Sequence, residues 1–192
     1  MFLLLIIYSD KKILQSLGFV AARLDILVQK FKLGNVNELR NILCISQAYI
    51  SRSAALYLLH PDKFFPNNVD FYVRKKGFSI LLKYIIDCGY VFPKPNSSHT
   101  STLTVSKSSH LSSKIGSNYN SVGRLAIVLE MHHHSSPSIK INIVLCCGSH
   151  LVTAISRFHS MIVMNYLAWY GLVSLYPHWT MDSVGVINRN WG

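Results

Sequence analysis

The chain has 192 residues, half of them hydrophobic and only 14% charged, with 19 Lys and Arg against 8 Asp and Glu for a formal net charge of +11. That length predicts one domain with a sizeable core, and the basic excess favours anionic partners: nucleic acid, phosphates or membrane surfaces. Cys44, Cys88, Cys146 and Cys147 follow no disulfide-framework spacing, so reduced thiols in an intracellular protein, cytoplasmic or nuclear, are expected.

Phe2 to Tyr8 is apolar but too short to span a bilayer, and no basic residue precedes it as a secretory signal would require. Residues 1–36 read as an apolar, helical extension, 37–177 as the domain and 178–192 as a tail. Asn37 to Gln47 places Leu39, Ile42 and Leu43 at helical spacing, with Asn35 or Asn37 as its cap. A short buried strand over Ala48 to Ile50 is expected next. A helix over Ser53 to Leu59 then starts at Ser51 or Ser53 and stops at His60-Pro61. After a loop, Val69 to Val73 reads as a strand. Arg74 to Cys88 reads as an amphipathic helix with Phe78, Leu81, Leu82, Ile85 and Ile86 on one side and Gly89 at its end. Tyr90 to Phe92 is a further short strand.

Between residues 96 and 121, 13 of 26 are Ser or Thr and none is acidic, a composition that predicts a flexible insertion. Arg124 to Glu130 and Ile139 to Leu145 then form a hairpin whose loop carries His132, His133 and His134. Three consecutive histidines cannot point one way, and the nearest cysteines lie at the far end of the next strand, so no metal is expected there. His150 to Tyr166 reads as a helix, with His159 a structural histidine. The apolar stretch Met161 to Tyr176 is shorter than the roughly twenty residues of a membrane span. It reads as buried helix followed by buried strand, so no span is expected. This order predicts an α+β (α/β-like) fold, a mixed β-sheet flanked by helices. No phosphate-binding loop with its Lys, no dinucleotide fingerprint, no His-Glu-x-x-His and no Gly-x-Ser-x-Gly occurs.

One stretch carries chemistry. Ser51-Arg52-Ser53 is a small-residue turn, and Asn68-Val69-Asp70-Phe71-Tyr72-Val73 is a strand with polar residues at alternate places. From about Asn37 to Leu145 this resembles the nucleotidyltransferases of the polymerase-beta-like fold. There a Gly-Ser turn receives nucleotide phosphates, two acids at i and i+2 of a strand hold divalent metals, and a third acid comes from a neighbouring strand. The chain is also similar to uncharacterised proteins of mushroom-forming fungi. These carry a Ser-Gly-Ser-x-Ala-Leu turn, a Ser-Asp-Leu-Asp-Leu-Tyr-Val strand and a Phe-His-Ser-x-x-x-Met-Asn helix, matched here at Ser51 to Leu56, Asn67 to Val73 and Phe158 to Asn165.

The departures shape the functional expectation. Arg52 stands where the pattern has Gly, and Asn68 where it has the first acid; only Asp70 is retained. The third acid's strand offers Lys140 and Asn142. Asp70, Asn68 and Asn142 are therefore vestigial catalytic candidates, and Ser51, Arg52 and Ser53 are anion-binding candidates. The resemblance implies a catalytically inactive nucleotidyltransferase-like domain, a pseudoenzyme acting as a binding or interaction module without a cofactor. Two other readings stay open. One is an active Mg-dependent transferase in which Asp62 or Glu130 joins Asp70, although strand geometry disfavours Glu130. The other is a basic protein that binds nucleic acid or an acidic partner through Lys75, Lys76 and neighbouring cations, with nucleotide or nucleic acid as the partner its basic surface suggests. The plainest role for Asp70 is an acid on an edge strand, paired with Arg74 or Lys75.

Overall fold

The computed structural model describes residues 17–63, 65–93, 125–147 and 150–186. The expected Ser/Thr-rich insertion at 96–121 lies outside these residues. Helix α1 (Leu17–Lys30) and helix α2 (Val36–Ser46) precede strand β1 (Tyr49–Ser51). Helix α3 (Ser53–Leu59), strand β2 (Asn68–Arg74), helix α4 (Lys75–Asp87) and strand β3 (Tyr90–Val91) follow. Next come β4 (Leu125–His133) and β5 (Ser136–Cys146), then helix α5 (Leu151–Ile155) and a 3-10 turn (Met161–Val163). Strands β6 (Asn165–Ala168) and β7 (Gly171–Ser174) and helix α6 (Pro177–Met181) complete the order.

Local chemistry explains the first half. Asn35 caps α2 by accepting from the Glu38 amide at 2.9 Å, and α2 ends where Gln47 turns left-handed at φ 53°. Leu39 and Leu43, one helical turn apart, are fully buried. Helix α3 buries every residue from Ala54 to Leu59, and its last carbonyls accept from Arg23 of α1 at 2.8 and 3.3 Å. Gly89 closes α4 with φ 91°, a conformation that costs glycine least.

The seven strands form one mixed sheet in the order β3-β4-β5-β2-β1-β6-β7. Among the described residues only β2 and β5 are parallel; the other pairs run antiparallel. One face carries Ile50, Val69, Phe71, Val73, Ile141, Ile143 and Leu167 into the main core, together with Leu24, Leu27, Leu39, Leu43, Leu58 and Leu81 from α1 to α4. Each such side chain contributes about 1.5–3 kcal/mol on burial. The other face is divided. Tyr72, Val144, Cys146 and Tyr166 pack beneath Leu151, Ile155 and Phe158, while polar residues occupy the neighbouring rows.

Four expectations change here. Asp70 is not on an edge: β2 lies between β1 and β5, and Asp70 is 3% exposed. The expected helix His150 to Tyr166 breaks after Ile155, and Asn165 opens a strand instead. Strand β1 pairs with Tyr166 and Leu167 and β7 with all of Asn165 to Ala168, and these pairings override helical spacing. His159 is exposed rather than structural. The histidine run also shifts, because β4 extends to His133 and the hairpin turns at His134 and Ser135. His133 is buried against Tyr90, with ring centroids 5.3 Å apart.

Candidate functional site

Asp70 sits mid-strand, in register with Ser51 of β1 and Asn142 of β5. Register partners share a face, as do residues i and i+2, so Asn68 and Lys140 point the same way. The Asn142 amide donates to Asp70 Oδ1 at 2.8 Å, and the Asn68 amide donates to the same oxygen at 3.2 Å. Burial pushes the Asp70 carboxyl above its usual range; the Asn142 hydrogen bond, the Arg52 charge and the Asn68 hydrogen bond oppose this without cancelling it.

Arg52 stands between β1 and α3 with φ 61° and ψ −136°, a backbone region that belongs to glycine. Its guanidinium lies 5.1 Å from the centroid of the Phe158 ring, and its charge acts on Asp70. Ser51 is fully buried, and its hydroxyl donates to the Asn165 carbonyl at 2.6 Å. Ser53 is half-buried at the start of α3. Phe158 leans on Tyr72 with centroids 5.7 Å apart. Thus the turn at 51–53, the strand at 68–74 and the segment 158–165 meet at one place.

Asn165 locks that meeting. It is fully buried, its amide donates to the Ile162 carbonyl at 2.7 Å, and its side-chain oxygen accepts from Thr180 at 3.5 Å. The Thr180 carbonyl in turn accepts from His60 Nε2 at 2.6 Å. Sequence reasoning placed Phe158 and Asn165 on one helix and missed their contacts with Arg52 and Ser51. The one available signal was the run Phe158 to Asn165 itself, whose resemblance implies no structural role.

Glu130 is in register with Asn142, on the Asp70 face but with β5 between them. Two strand spacings make that roughly 10 Å between backbones. Strand geometry thus keeps Glu130 from joining Asp70 by distance and not by direction: it faces the same way but lies one strand too far. Its Oε1 accepts from Lys140 Nζ at 3.3 Å and lies 3.3 Å from His132 Nε2. Asp62 is exposed in the turn after α3. Comparison with family models, curated proteins and solved structures finds no match for this chain.

The donor set does not fit a divalent ion. Such an ion needs several oxygen donors with net negative charge. Here both amides turn N–H groups toward Asp70, so their oxygens point away from it. Among the described residues no three His, Cys, Asp or Glu side chains are grouped to hold a metal. What the arrangement offers is one buried carboxyl, two amides and a cation on a rigid frame, suited to hydrogen bonding rather than to Lewis-acid chemistry. Among the described residues no helix is long and apolar enough to cross a membrane.

Proposed function

We propose that the chain is a nucleotidyltransferase-like domain that has lost its metal chemistry and serves as a binding or interaction module. The observation that carries this reading is the hydrogen-bonded trio Asn68, Asp70 and Asn142 on the adjacent parallel strands β2 and β5. These are the positions at which the resemblance expects three carboxylates. The meeting of the turn at Arg52, the strand at Asp70 and the segment at Phe158 supports the same reading, since those three segments carry the sequence resemblance. Two metals in such a site sit about 3.5–4 Å apart and need shared carboxylates between them. One carboxylate beside an arginine cannot supply that charge.

The full chain should therefore show no magnesium-dependent incorporation with any of the four nucleoside triphosphates. EDTA-sensitive incorporation that Asp70→Ala abolishes would overturn the loss of chemistry. The layout is tested by rebuilding it. The double variant Asn68→Asp, Asn142→Asp should gain thermal stability on adding magnesium, by about 1.4 kcal/mol at ten times its Kd, while the parent chain gains none. No magnesium response in a folded double variant would mean that the trio is not the frame of a metal site.

A further inference from the structure

The end of the sheet at which β2 finishes has a different character. Trp169 lies in the turn between β6 and β7 and is 44% exposed. Exposed single aromatics are common and need no explanation. This one is held in place. Its ring meets Tyr170 edge-on at 5.5 Å and 87°, and its carbonyl accepts from Arg40 Nε at 3.3 Å. Tyr170 is hydrogen-bonded to Tyr49, whose ring stacks on Tyr166 at 4.7 Å. The Tyr49 hydroxyl also feels the charge of Arg74, which donates to Gln47.

Contacts thus run from Arg40 through Trp169 and Tyr170 to Tyr49, which feels the charge of Arg74. Lys75 and Lys76 come next in the chain, exposed in the first turn of α4, which contains no acid. The segments that build this end, 40–47, 72–79 and 166–171, contain neither Asp nor Glu. Consecutive cations in a first helical turn oppose the helix dipole, a placement that costs stability until an anion approaches.

We propose that this end of the sheet binds single-stranded nucleic acid, with the Trp169 indole as a base-stacking platform and Arg40, Arg74, Lys75 and Lys76 as phosphate contacts. A rigid exposed ring beside cations is how sequence-tolerant single-strand binding is built, because every base has a π-face. A duplex hides those faces, so the ring favours unpaired strands. An anionic membrane would use the same cations, but it would also need several apolar side chains on one face. Trp169 meets Arg40 and the half-buried Tyr170, Ile45 is the exposed aliphatic residue of the 40–47 segment, and the vesicle arm of the test below separates the two occupants. The surface lies apart from the Asp70 cluster, and the inference does not rest on the reading of that cluster.

The test titrates the full chain into a fluorescein-labelled oligo(dT) of about 12 nucleotides, within the site size of one such surface. A duplex of equal length and phosphatidylserine-containing vesicles are the comparison arms. The single strand should bind most tightly and quench tryptophan fluorescence. Trp169→Ala should weaken binding on the order of ten-fold and remove the quench, while Trp169→Phe keeps most of the affinity. The double variant Lys75→Gln, Lys76→Gln should flatten the log–log salt dependence by about 1.4, the loss of two phosphate contacts. Absence of binding, equal or tighter binding to the duplex or the vesicles, or unchanged affinity in both the Trp169→Ala and the double-lysine variants would overturn the inference.

Discussion

At Arg52 the backbone and the side chain make opposed demands. The turn from β1 into α3 needs φ 61°, ψ −136°, where a Cβ atom is crowded and glycine is at ease. The side chain meanwhile lies over Phe158 and lends its charge to Asp70. Strain of this kind costs about 1–3 kcal/mol and persists only where surrounding contacts hold it. The two demands can be separated with a pair of variants. Arg52→Ala and Arg52→Gly both lose the ring and charge contacts, but only the glycine relieves the backbone. Glycine also gains unfolded-state entropy, which offsets part of that relief. Arg52→Gly should therefore be more stable than Arg52→Ala by about 1 kcal/mol in urea unfolding. Equal stability, or the reverse order, would mean that the turn does not hold this conformation. The departure from glycine was legible in the sequence, and so was its cost to phosphate approach. The compensation was not, because Phe158 is more than a hundred residues away and no spacing encodes that contact.

Among the elements, α2 and α4 show how closely the helical layer is fitted. Gly77 in the first turn of α4 faces the last turn of α2, and a Cβ placed there would lie 1.8 Å from the Ser46 carbonyl oxygen. That atom is backbone and cannot swing aside. Ser46 is itself buried, with its hydroxyl donating to the Ile42 carbonyl at 2.6 Å. In an open helix Gly→Ala would gain about 1 kcal/mol of helix propensity. Here the overpacking outweighs it, and Gly77→Ala should lower stability by about 2–3 kcal/mol, read from the urea midpoint at unchanged m. A neutral or stabilising result would show that the two helices are not in this contact. Helices α2 and α4 were legible from apolar residues at helical spacing. The segment after Ile155 was not, because Phe158 and Ile162 fit that spacing while the backbone partners of Asn165 to Ala168 lie on β1 and β7. The histidine run was misplaced for a similar reason. A tight turn at His134 and Ser135 lets β4 keep His132 and His133, and pairing with Tyr90 buries one of them.

For the whole molecule the decisive feature is a sheet with unlike faces, and alternation along β2 and β5 made it readable: Val69, Phe71, Ile141 and Ile143 inward, Asn68, Asp70 and Asn142 outward. The sequence could not reveal how far α1 belongs to that body, since its apolar spacing shows a buried face but not its partner. In the structure Leu24, Leu27, Val28 and Phe31 share one core with Val69, Phe71 and Ile143. The chain after α1 is tied to the later elements as well. Tyr84 donates to the Leu33 carbonyl, Tyr90 donates to that of Phe31 at 2.5 Å, and Lys32 reaches Ser135 and Ser136 at 3.1 and 3.0 Å. With α1 built into the core, damage to it should be felt by the sheet. Leu27 is fully buried, so Leu27→Ala should cost about 2–5 kcal/mol. The unfolding transition should stay single, with far-UV circular dichroism and tryptophan fluorescence moving to the same lower midpoint. A helix merely appended to the domain would behave otherwise. The variant would then lose helical signal early, while the fluorescence of Trp169 and Trp179, in the β6–β7 turn and on α6, kept the parent midpoint, and the single shared core would be disproved.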